Sequence, residues 1–344
     1  MPTPFPRIDI SPYLTPSPAL TPQHHLTARA LSTACAHPGI FYLTHHNLPS
    51  SLTTRVLTLA RTFFLSAPAA EKARIRRLDV GQGHGRGDGA RGYQVVGDNV
   101  TEGRRDWHEA IDWYRPVRKG EPFECAGAGE GEGKWEGEDG VEGRDRKAPY
   151  ALLKGVNAWP RYPEGFRAVY EEYVARMLEL GTAVVRAMGV ALGGGMEGVF
   201  VGSTGESAWV MRAIGYPALP EEEEEEGRVS CGAHSDYGCV TLLLDDGTKG
   251  ALQAWVEGEE GEGRWVDVEP VEGALVVNIG DMMARWSGGL WKATRHRVVH
   301  RGSGYRVSVP FFFEPDWDAR VPGRDGEGEV IYGEYLEEKV KGNF

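Results

Sequence analysis

The residues with the clearest chemical potential are two histidines and an aspartate in the second half of the chain. His234 and Asp236 are separated by one residue, and side chains at i and i+2 point to the same face of a β-strand. One further imidazole would complete the ligand set of two histidines and one carboxylate that holds non-haem Fe(II) while leaving positions open. The histidines that compete for this third place are His296, His300, His108, His45 and His46. Spacing alone does not separate them.

A second candidate group follows a few residues after His296. Arg306 and Ser308 alternate onto one face of an apolar segment, together with Phe312, so all three are expected to point inward. A buried guanidinium is costly unless it is paired, and a carboxylate is its best partner. That partner is either a bound ligand or an internal acid. Tyr216, at the end of another strand-like run, could add a hydrogen bond to the same anion.

The second half of the chain has the pattern of an antiparallel β-structure. Short apolar runs alternate with turn signals such as Asp245-Asp246-Gly247, which predicts a double-sheet jelly roll. The runs cover 209–214, 240–244, 252–256, 274–279, 297–299 and 305–313. All of the candidate site residues fall in this unit, where a jelly roll can bring distant strands together.

The first half reads mainly as helices. Ser50 or Ser51 can cap a helix whose apolar residues recur every three or four positions, and residues 164–192 show a longer helical face. The first face contains Leu52, Val56, Ala60, Phe63 and Phe64, and the second contains Phe166, Val169, Tyr170, Tyr173, Met177, Leu180, Val184 and Met188. The longer helix is expected to support the sheet. The predicted fold class is therefore α+β, a jelly-roll core with a helical N-terminal half around it.

Several segments together resemble the isopenicillin N synthase-like group of Fe(II)/2-oxoglutarate-dependent dioxygenases, over nearly the whole length. The N-terminal half supplies Phe5-Pro-Arg-Ile-Asp-Ile-Ser, His37-Pro-Gly-Ile-Phe-Tyr-Leu-Thr-His-His, Glu71-Lys72 and Asp106-Trp-His-Glu. The second half supplies Gly232-Ala-His-Ser-Asp-Tyr-Gly, Asn278-Ile-Gly-Asp-Met-Met-Ala-Arg-Trp-Ser, Thr294-Arg-His-Arg-Val-Val and Tyr305-Arg-Val-Ser-Val-Pro-Phe-Phe-Phe. These last four segments are specific to the group.

The resemblance implies a role for each candidate residue. The metal ligands would be His234, Asp236 and His296, and the distal carboxylate of 2-oxoglutarate would be bound by Arg306, Ser308 and Tyr216. The implied reaction consumes dioxygen, releases succinate and carbon dioxide, and hydroxylates or desaturates a small organic molecule. Phe312 is a candidate pocket wall. The residue before Tyr216 is Gly215, where relatives tend to have a larger polar side chain, so one contact near the keto acid is expected to be missing.

Two alternative functions remain open on the sequence alone. Relatives such as isopenicillin N synthase use the same Arg-x-Ser pair to hold substrate, so a 2-oxoglutarate-independent non-haem iron oxidase is the alternative enzyme. A catalytically silent jelly-roll binding module is the alternative outside enzymes. The stretches 232–243 and 284–287 resemble fungal thymine hydroxylases most, which implies a small planar heterocycle or a compound of secondary metabolism as substrate.

Composition limits the other function classes. The net charge of −12 is concentrated in residues 121–147, 221–226 and 257–263, which together carry −15 and are expected to form solvated loops. The remainder is close to neutral and lacks the basic stripe of a nucleic-acid-binding protein. A Gly-rich run at 81–89 lacks the context of a phosphate loop.

The four cysteines show no C-x-x-C spacing, and no apolar run approaches the roughly 20 residues of a membrane span. A cytoplasmic protein without membrane or nucleic-acid partners is expected. We predict a helical and mixed region at 1–200, a jelly-roll core at 201–320 and a C-terminal helical extension at 321–344.

Overall fold

The computed structural model describes residues 5–15, 17, 19–77, 90–116, 157–219, 229–258, 262–322 and 328–342. The helices are α1 (Ser11–Leu14), α2 (Pro22–Ala36), α3 (Ser50–Ser66), α4 (Ala69–Arg74), α5 (Phe166–Leu192), α6 (Met196–Gly202), α7 (Asp281–Trp286) and α8 (Tyr332–Gly342). The strands of the first half are β1 (Arg7–Asp9), β2 (Ile40–Thr44), β3 (Gly92–Gln94), β4 (Val100–Thr101), β5 (Arg104–Arg105) and β6 (Glu109–Tyr114). Those of the second half are β7 (Val210–Tyr216), β8 (Cys231–His234), β9 (Val240–Asp245), β10 (Leu252–Glu257), β11 (Gly263–Asp267), β12 (Leu275–Ile279), β13 (His296–Val298), β14 (Arg306–Phe313), β15 (Arg320–Val321) and β16 (Val330–Ile331).

Two sheets form the centre of the molecule. The major sheet has the strand order β1-β2-β12-β9-β14-β7-β6-β3, and the minor sheet has the order β11-β10-β13-β8. Apart from the parallel β1–β2 pair, every neighbouring pair in these two sheets is antiparallel. Ile214 and Leu243 of the major sheet pack with Leu252 and Val298 of the minor sheet in one apolar cluster. The predicted double-sheet jelly roll with surrounding helices is therefore confirmed.

Helices cover the other face of the major sheet and bury the apolar stripes that the sequence predicted. All the named apolar residues of both stripes are buried, as expected for amphipathic helices that pack against a sheet. Gly181 of α5 is buried directly under Phe313 of β14: a Cβ at Gly181 would lie 2.2 Å from Cδ2 of that ring. The N-cap of α3 is Pro49 and makes no side-chain cap, so the predicted capping role of Ser50 or Ser51 is wrong.

The first half contributes more strands than its sequence pattern indicated. The strands β1, β2, β3 and β6 all belong to the major sheet, so half of that sheet's eight strands come from the region read mainly as helical. Short buried segments such as Ile40–Thr44 carry neither periodicity clearly, because both of their faces are covered.

The predicted loops have different outcomes. The segments 124–147, 221–226 and 81–89 lie outside the described residues. The acidic segment at 257–263 connects β10 to β11, and the two strands pair up to Glu257 and Gly263. Residues 259–261 between them lie outside the described residues. The division at residues 200 and 320 stays a prediction.

Candidate active site

The two imidazoles of the candidate site lie on neighbouring strands of the minor sheet. His234 ends β8 and His296 begins β13, and the two residues are directly paired in the antiparallel register. Their ring centroids are 4.4 Å apart. The Nε2 atom of each ring is 3.7 Å from Oδ1 of Asp236. The structure thus brings together the three residues that the sequence could only nominate separately.

The ring nitrogens that do not face Asp236 are hydrogen-bonded to backbone carbonyls two residues earlier in the chain. Nδ1 of His234 donates to the carbonyl oxygen of Gly232 at 2.8 Å, and Nδ1 of His296 donates to that of Thr294 at 3.1 Å. Because a carbonyl can only accept, the proton of each neutral ring stands on Nδ1 and the lone pair of Nε2 points towards Asp236. Burial, together with the nearby His234, lowers the pKa of His296, which favours the neutral form that binds metal.

Asp236 reaches the site from a loop rather than from a strand. It lies two residues beyond the end of β8, so the expectation that strand alternation aligns it with His234 is wrong in detail. Its Oδ2 atom accepts hydrogen bonds from the Thr241 hydroxyl and, at 2.7 Å, from Nδ2 of Asn278. Burial raises the pKa of Asp236, but the positive charge that His296 and His234 carry when protonated, together with the hydrogen bonds from Thr241 and Asn278, outweighs this effect and keeps the pKa below its ordinary value. Oδ1 therefore faces the imidazoles as a carboxylate oxygen.

This donor set fits a divalent transition metal. One ligand atom from each of the three residues lies within 4.8 Å of the others, and the remaining polar atoms of the three side chains are already bonded to the protein. A second cluster in the described part of the chain, Asp106, His108 and Cys231, is different. Nδ1 of His108 donates to the Ser230 carbonyl and its Nε2 lies 2.6 Å from Nδ2 of Asn99. Asp106 accepts bonds from Gly232 and Thr101, so the histidine and the aspartate of this cluster are already hydrogen-bonded within the protein.

Arg306 is buried at the other end of the same cavity. It starts β14 opposite Tyr216 on β7, and its guanidinium carbon is 4.7 Å from the centre of the Tyr216 ring. Its Nη1 atom is 3.5 Å from Oγ of Ser308, and its buried Nε has no hydrogen-bond partner in the described part of the chain. Within the described ranges it makes no ion pair, so the internal salt bridge that could have explained this arginine is not found there. A buried cation with a free donor suits an anionic ligand.

One cavity between the two sheets joins these groups. Its wall includes the three candidate metal ligands, Arg306, Ser308, Tyr216 and Phe312, with apolar side chains from both sheets and with Arg212, His108 and Cys231. Val307, Val309 and Phe311 point to the opposite side and belong to the helix-covered core. The alternation predicted for β14 is confirmed.

Other residues singled out in the sequence lie elsewhere. His300 is buried and its Nε2 is 3.0 Å from the Gly304 carbonyl, while the exposed His45 stands 3.5 Å from Asp9. Gly215 faces away from the cavity: a Cβ there would meet the hydroxyl of Tyr305 and the ring of Phe64. The expectation that Gly215 removes a contact near the keto acid is therefore wrong, because the strand alternation points this position at the helical layer.

Comparison with known proteins agrees with this arrangement. The chain is 35% identical to a homoarginine-6-hydroxylase of Oryza sativa subsp. japonica over 98% of its own length and 97% of that protein. The chain belongs to the 2OG-Fe(II) oxygenase superfamily. The model of this superfamily matches residues 206–315, and the model described as non-haem dioxygenase in morphine synthesis N-terminal matches residues 5–135.

Other members of the superfamily are also similar along most of the chain. A 2-oxoglutarate-Fe(II) type oxidoreductase of Emericella nidulans is 31% identical, covering 92% of this chain and 81% of that protein. Among solved structures, a full-length Neurospora crassa protein in complex with alpha-KG and thymine superposes with a TM-score of 0.74 at 23% identity, covering 98% of this chain and 96% of that one. This structural likeness shows the shared fold.

Superfamily membership settles the class of chemistry. The protein is a 2-oxoglutarate-dependent dioxygenase, an oxidoreductase that uses Fe(II) and 2-oxoglutarate as cofactors. This function is favoured over that of a 2-oxoglutarate-independent oxidase and over that of a catalytically silent binding module. In the described part of the chain, no helix has the length and apolar character needed to cross a bilayer.

Proposed function

We propose that His234, Asp236 and His296 are the ligands of Fe(II) and that Arg306, Ser308 and Tyr216 bind the distal carboxylate of 2-oxoglutarate. The observation that carries the proposal is the convergence of Nε2 of both histidines and Oδ1 of Asp236, with the unpaired Arg306 in the same cavity. When bound, iron and 2-oxoglutarate supply dioxygen activation and the oxidation of a substrate C–H bond, with release of succinate and carbon dioxide.

The protein's part in this chemistry is positioning and charge balance. Two neutral imidazoles and one carboxylate leave a divalent ion with one net positive charge, which favours an anionic chelator in the open positions. Thr241 and Asn278 hold Oδ2 of Asp236, so that Oδ1 is kept for the metal. Arg306 supplies a fixed, permanently charged fork for the far carboxylate.

The buried surroundings exclude bulk water from the charged groups. Tyr216 and Ser308 are buried beside Arg306, and burial raises the pKa of Tyr216, so the phenol keeps its proton and can donate. Phe312 is half-buried on the same strand face as Ser308, and we propose that it forms part of the wall against which the substrate packs.

For the substrate we propose a small polar organic molecule, the class to which homoarginine and thymine belong. Hydroxylation or desaturation is the outcome, and dioxygen is the co-substrate. A reducing compartment such as the cytoplasm is proposed because Cys35, Cys231 and Cys239 are all free thiols. Fractionation of cells that express the tagged protein would test this location.

Anaerobic titration tests the proposed function directly. Fe(II) followed by 2-oxoglutarate should produce a visible metal-to-ligand charge-transfer band in the purified protein, and oxygen should then yield succinate. The Asp236→Ala variant should give no band. The exposed Arg167, which pairs with Glu171 on α5, provides a matched control: Arg167→Gln should retain the full band. A wild-type protein without a band, or an Asp236→Ala variant with one, would contradict the assignment.

A further inference from the structure

A second arginine in the cavity wall has no role in the ligand sets described above. Arg212 lies on β7 with its side chain on the same strand face as Ile214 and Tyr216, and it contributes to the same cavity. Its Nε donates to Oδ1 of Asp112 at 2.7 Å, across the neighbouring strand β6. Its Nη2 atom is buried and has no hydrogen-bond partner among the residues that the structure describes.

The strand register places Arg212 near the metal end of the cavity rather than near Arg306. Arg306 is paired with Tyr216 and Phe312 with Val210, so Arg212 is level with Pro310 between them. Arg212 is four residues from Tyr216, the residue of β7 that is paired with Arg306. Four residues of an antiparallel strand span about 13 Å, so Arg212 lies about that far along the strand from Arg306. On the other side of β14, Phe312 is paired with Thr241, whose hydroxyl bonds Asp236.

The charge of Arg212 is already balanced by its neighbours. Asp112 is buried, and its second oxygen accepts a hydrogen bond from Nε2 of Gln94 at 2.5 Å, so the carboxylate is held in place for the arginine. Burial lowers the pKa of the adjacent His108 to about 3, so this ring adds no charge. What remains unsatisfied at Arg212 is a donor rather than a charge, and its natural partner is an oxygen acceptor.

We propose that Arg212 anchors the primary substrate and that this substrate presents a carboxylate or carbonyl oxygen to its free donor. This inference rests on the proposed function, because it assumes that 2-oxoglutarate occupies the Arg306 end. It makes Arg212 a specificity-determining residue. The apolar side chains Ile40, Leu252 and Val298 of the same cavity wall would then pack against the rest of the substrate.

The experiment uses the holoenzyme with Fe(II) and 2-oxoglutarate under anaerobic conditions. Small carboxylates and cyclic amides, including L-homoarginine and thymine, are added, and the perturbation of the charge-transfer band is measured for each. Counterparts without the oxygen groups, 5-aminopentylguanidine for L-homoarginine and 5-methylpyrimidine for thymine, show whether the oxygen is needed. L-homoarginine and thymine also distinguish a carboxylate from a carbonyl partner.

At least one oxygen-bearing probe should perturb the band and stimulate succinate formation, and its oxygen-free counterpart should not. Arg212→Gln should weaken that probe's binding roughly 10–100-fold, the size expected for one hydrogen bond from a charged donor. The affinity for 2-oxoglutarate should stay within about twofold. The double variant Arg212→Gln/Asp112→Asn removes both charges together and should show the same selective loss, which separates substrate binding from the destabilising effect of an unpaired Asp112.

The inference is overturned if no probe perturbs the wild-type band, if the oxygen-free counterparts bind equally well, or if both Arg212 variants bind the probe as tightly as wild type. These outcomes differ from failure of the proposed function. In that case the band itself is absent when Fe(II) and 2-oxoglutarate are added to wild type.

Discussion

The two sheets contribute different chemistry to the same cavity. The minor sheet supplies the imidazoles from β8 and β13, strands of four and three residues, whereas the major sheet supplies Arg306, Ser308 and Tyr216 from its long buried strands. Each imidazole is held by the carbonyl two residues before it in the chain. Arg306 is held by packing and keeps an unpaired Nε. The metal end is therefore satisfied before any ligand binds, and the Arg306 end is completed by its ligand.

Removing Asp236 should have the largest effect, because this residue joins the two sheets at the proposed metal position. Asp236→Ala takes away the only carboxylate of the ligand set and leaves Thr241 and Asn278 without their acceptor. Turnover should fall by roughly three orders of magnitude or more. Succinate release and iron content measure the loss, and circular dichroism melting serves as the folding control. If the variant retained iron and had wild-type turnover, Asp236 would not be the residue that joins the two sheets at the proposed metal position.

Glu314 tests how the major sheet supports the loop that carries Asp236. This buried carboxyl group directly follows β14 and accepts a hydrogen bond from the Cys239 backbone at 2.9 Å, and burial raises its pKa to about 8. The folded state therefore keeps the proton while the unfolded state loses it above about pH 4.5. Stability relative to Glu314→Gln should fall as pH rises from about 4.5 to 8, by up to about 5 kcal/mol at about 1.4 kcal/mol per unit.

Urea denaturation of the iron-free wild type and Glu314→Gln across this pH range measures the difference. Above pH 8 the difference should become constant, since the group is then ionised in both states. A difference that does not change between pH 5 and 8 would show that Glu314 is ionised in the folded protein.

Arg306→Gln should act on the major-sheet end alone. It removes the charged fork but leaves the three candidate ligands in place, so the dissociation constant for 2-oxoglutarate should rise roughly 100–1000-fold. Iron binding should change by less than about twofold. The charge-transfer band, titrated with 2-oxoglutarate at fixed Fe(II), reports both quantities. Equal losses of iron and 2-oxoglutarate binding would mean that the two ends are not independent.

Of these substitutions, Asn278→Ala should have the smallest effect. It tests the contact between Asn278 of the major sheet and Asp236. Nδ2 of Asn278 on β12 orients the carboxylate of Asp236 without reaching the metal position. Loss of such an orienting bond typically weakens metal affinity 10–100-fold. Competition with a metal chelator measures it. We expect 2-oxoglutarate binding at saturating iron to be unchanged, and a change there would extend the role of Asn278 beyond Asp236.

The sequence was most informative where one periodicity runs over many residues. The helical face of α5 and the alternation along β14 were predicted residue by residue, because α5 has one continuous apolar face and β14 alternates apolar residues with the polar Arg306 and Ser308. Strands β2, β3 and β6 were missed, since they lack an exposed face to give a period of two, and β1 was missed because its three residues are too few to establish one. Their burial follows from partners distant in sequence.

The candidate site was predictable as a set of residues but not as a geometry. The i, i+2 spacing nominated His234 and Asp236, yet the chain leaves β8 between them, and only the resemblance to a known family separated His296 from His300. Thr241 was not noted, because its role depends on where β9 places it. Arg212 could have been noticed, since it alternates with Ile214 and Tyr216 as the one cation in an otherwise apolar strand.

The glycine at position 181 has a consequence for the cavity on the far side of the major sheet. Because the Phe313 ring lies directly on the backbone of α5, helix and strand touch there without an intervening side chain. Any larger residue at 181 would wedge the helix away or displace the end of β14, where Phe312 lines the cavity. If Phe312 forms the substrate wall as proposed, a substitution at this buried helix position would change substrate selectivity although no substrate contacts it.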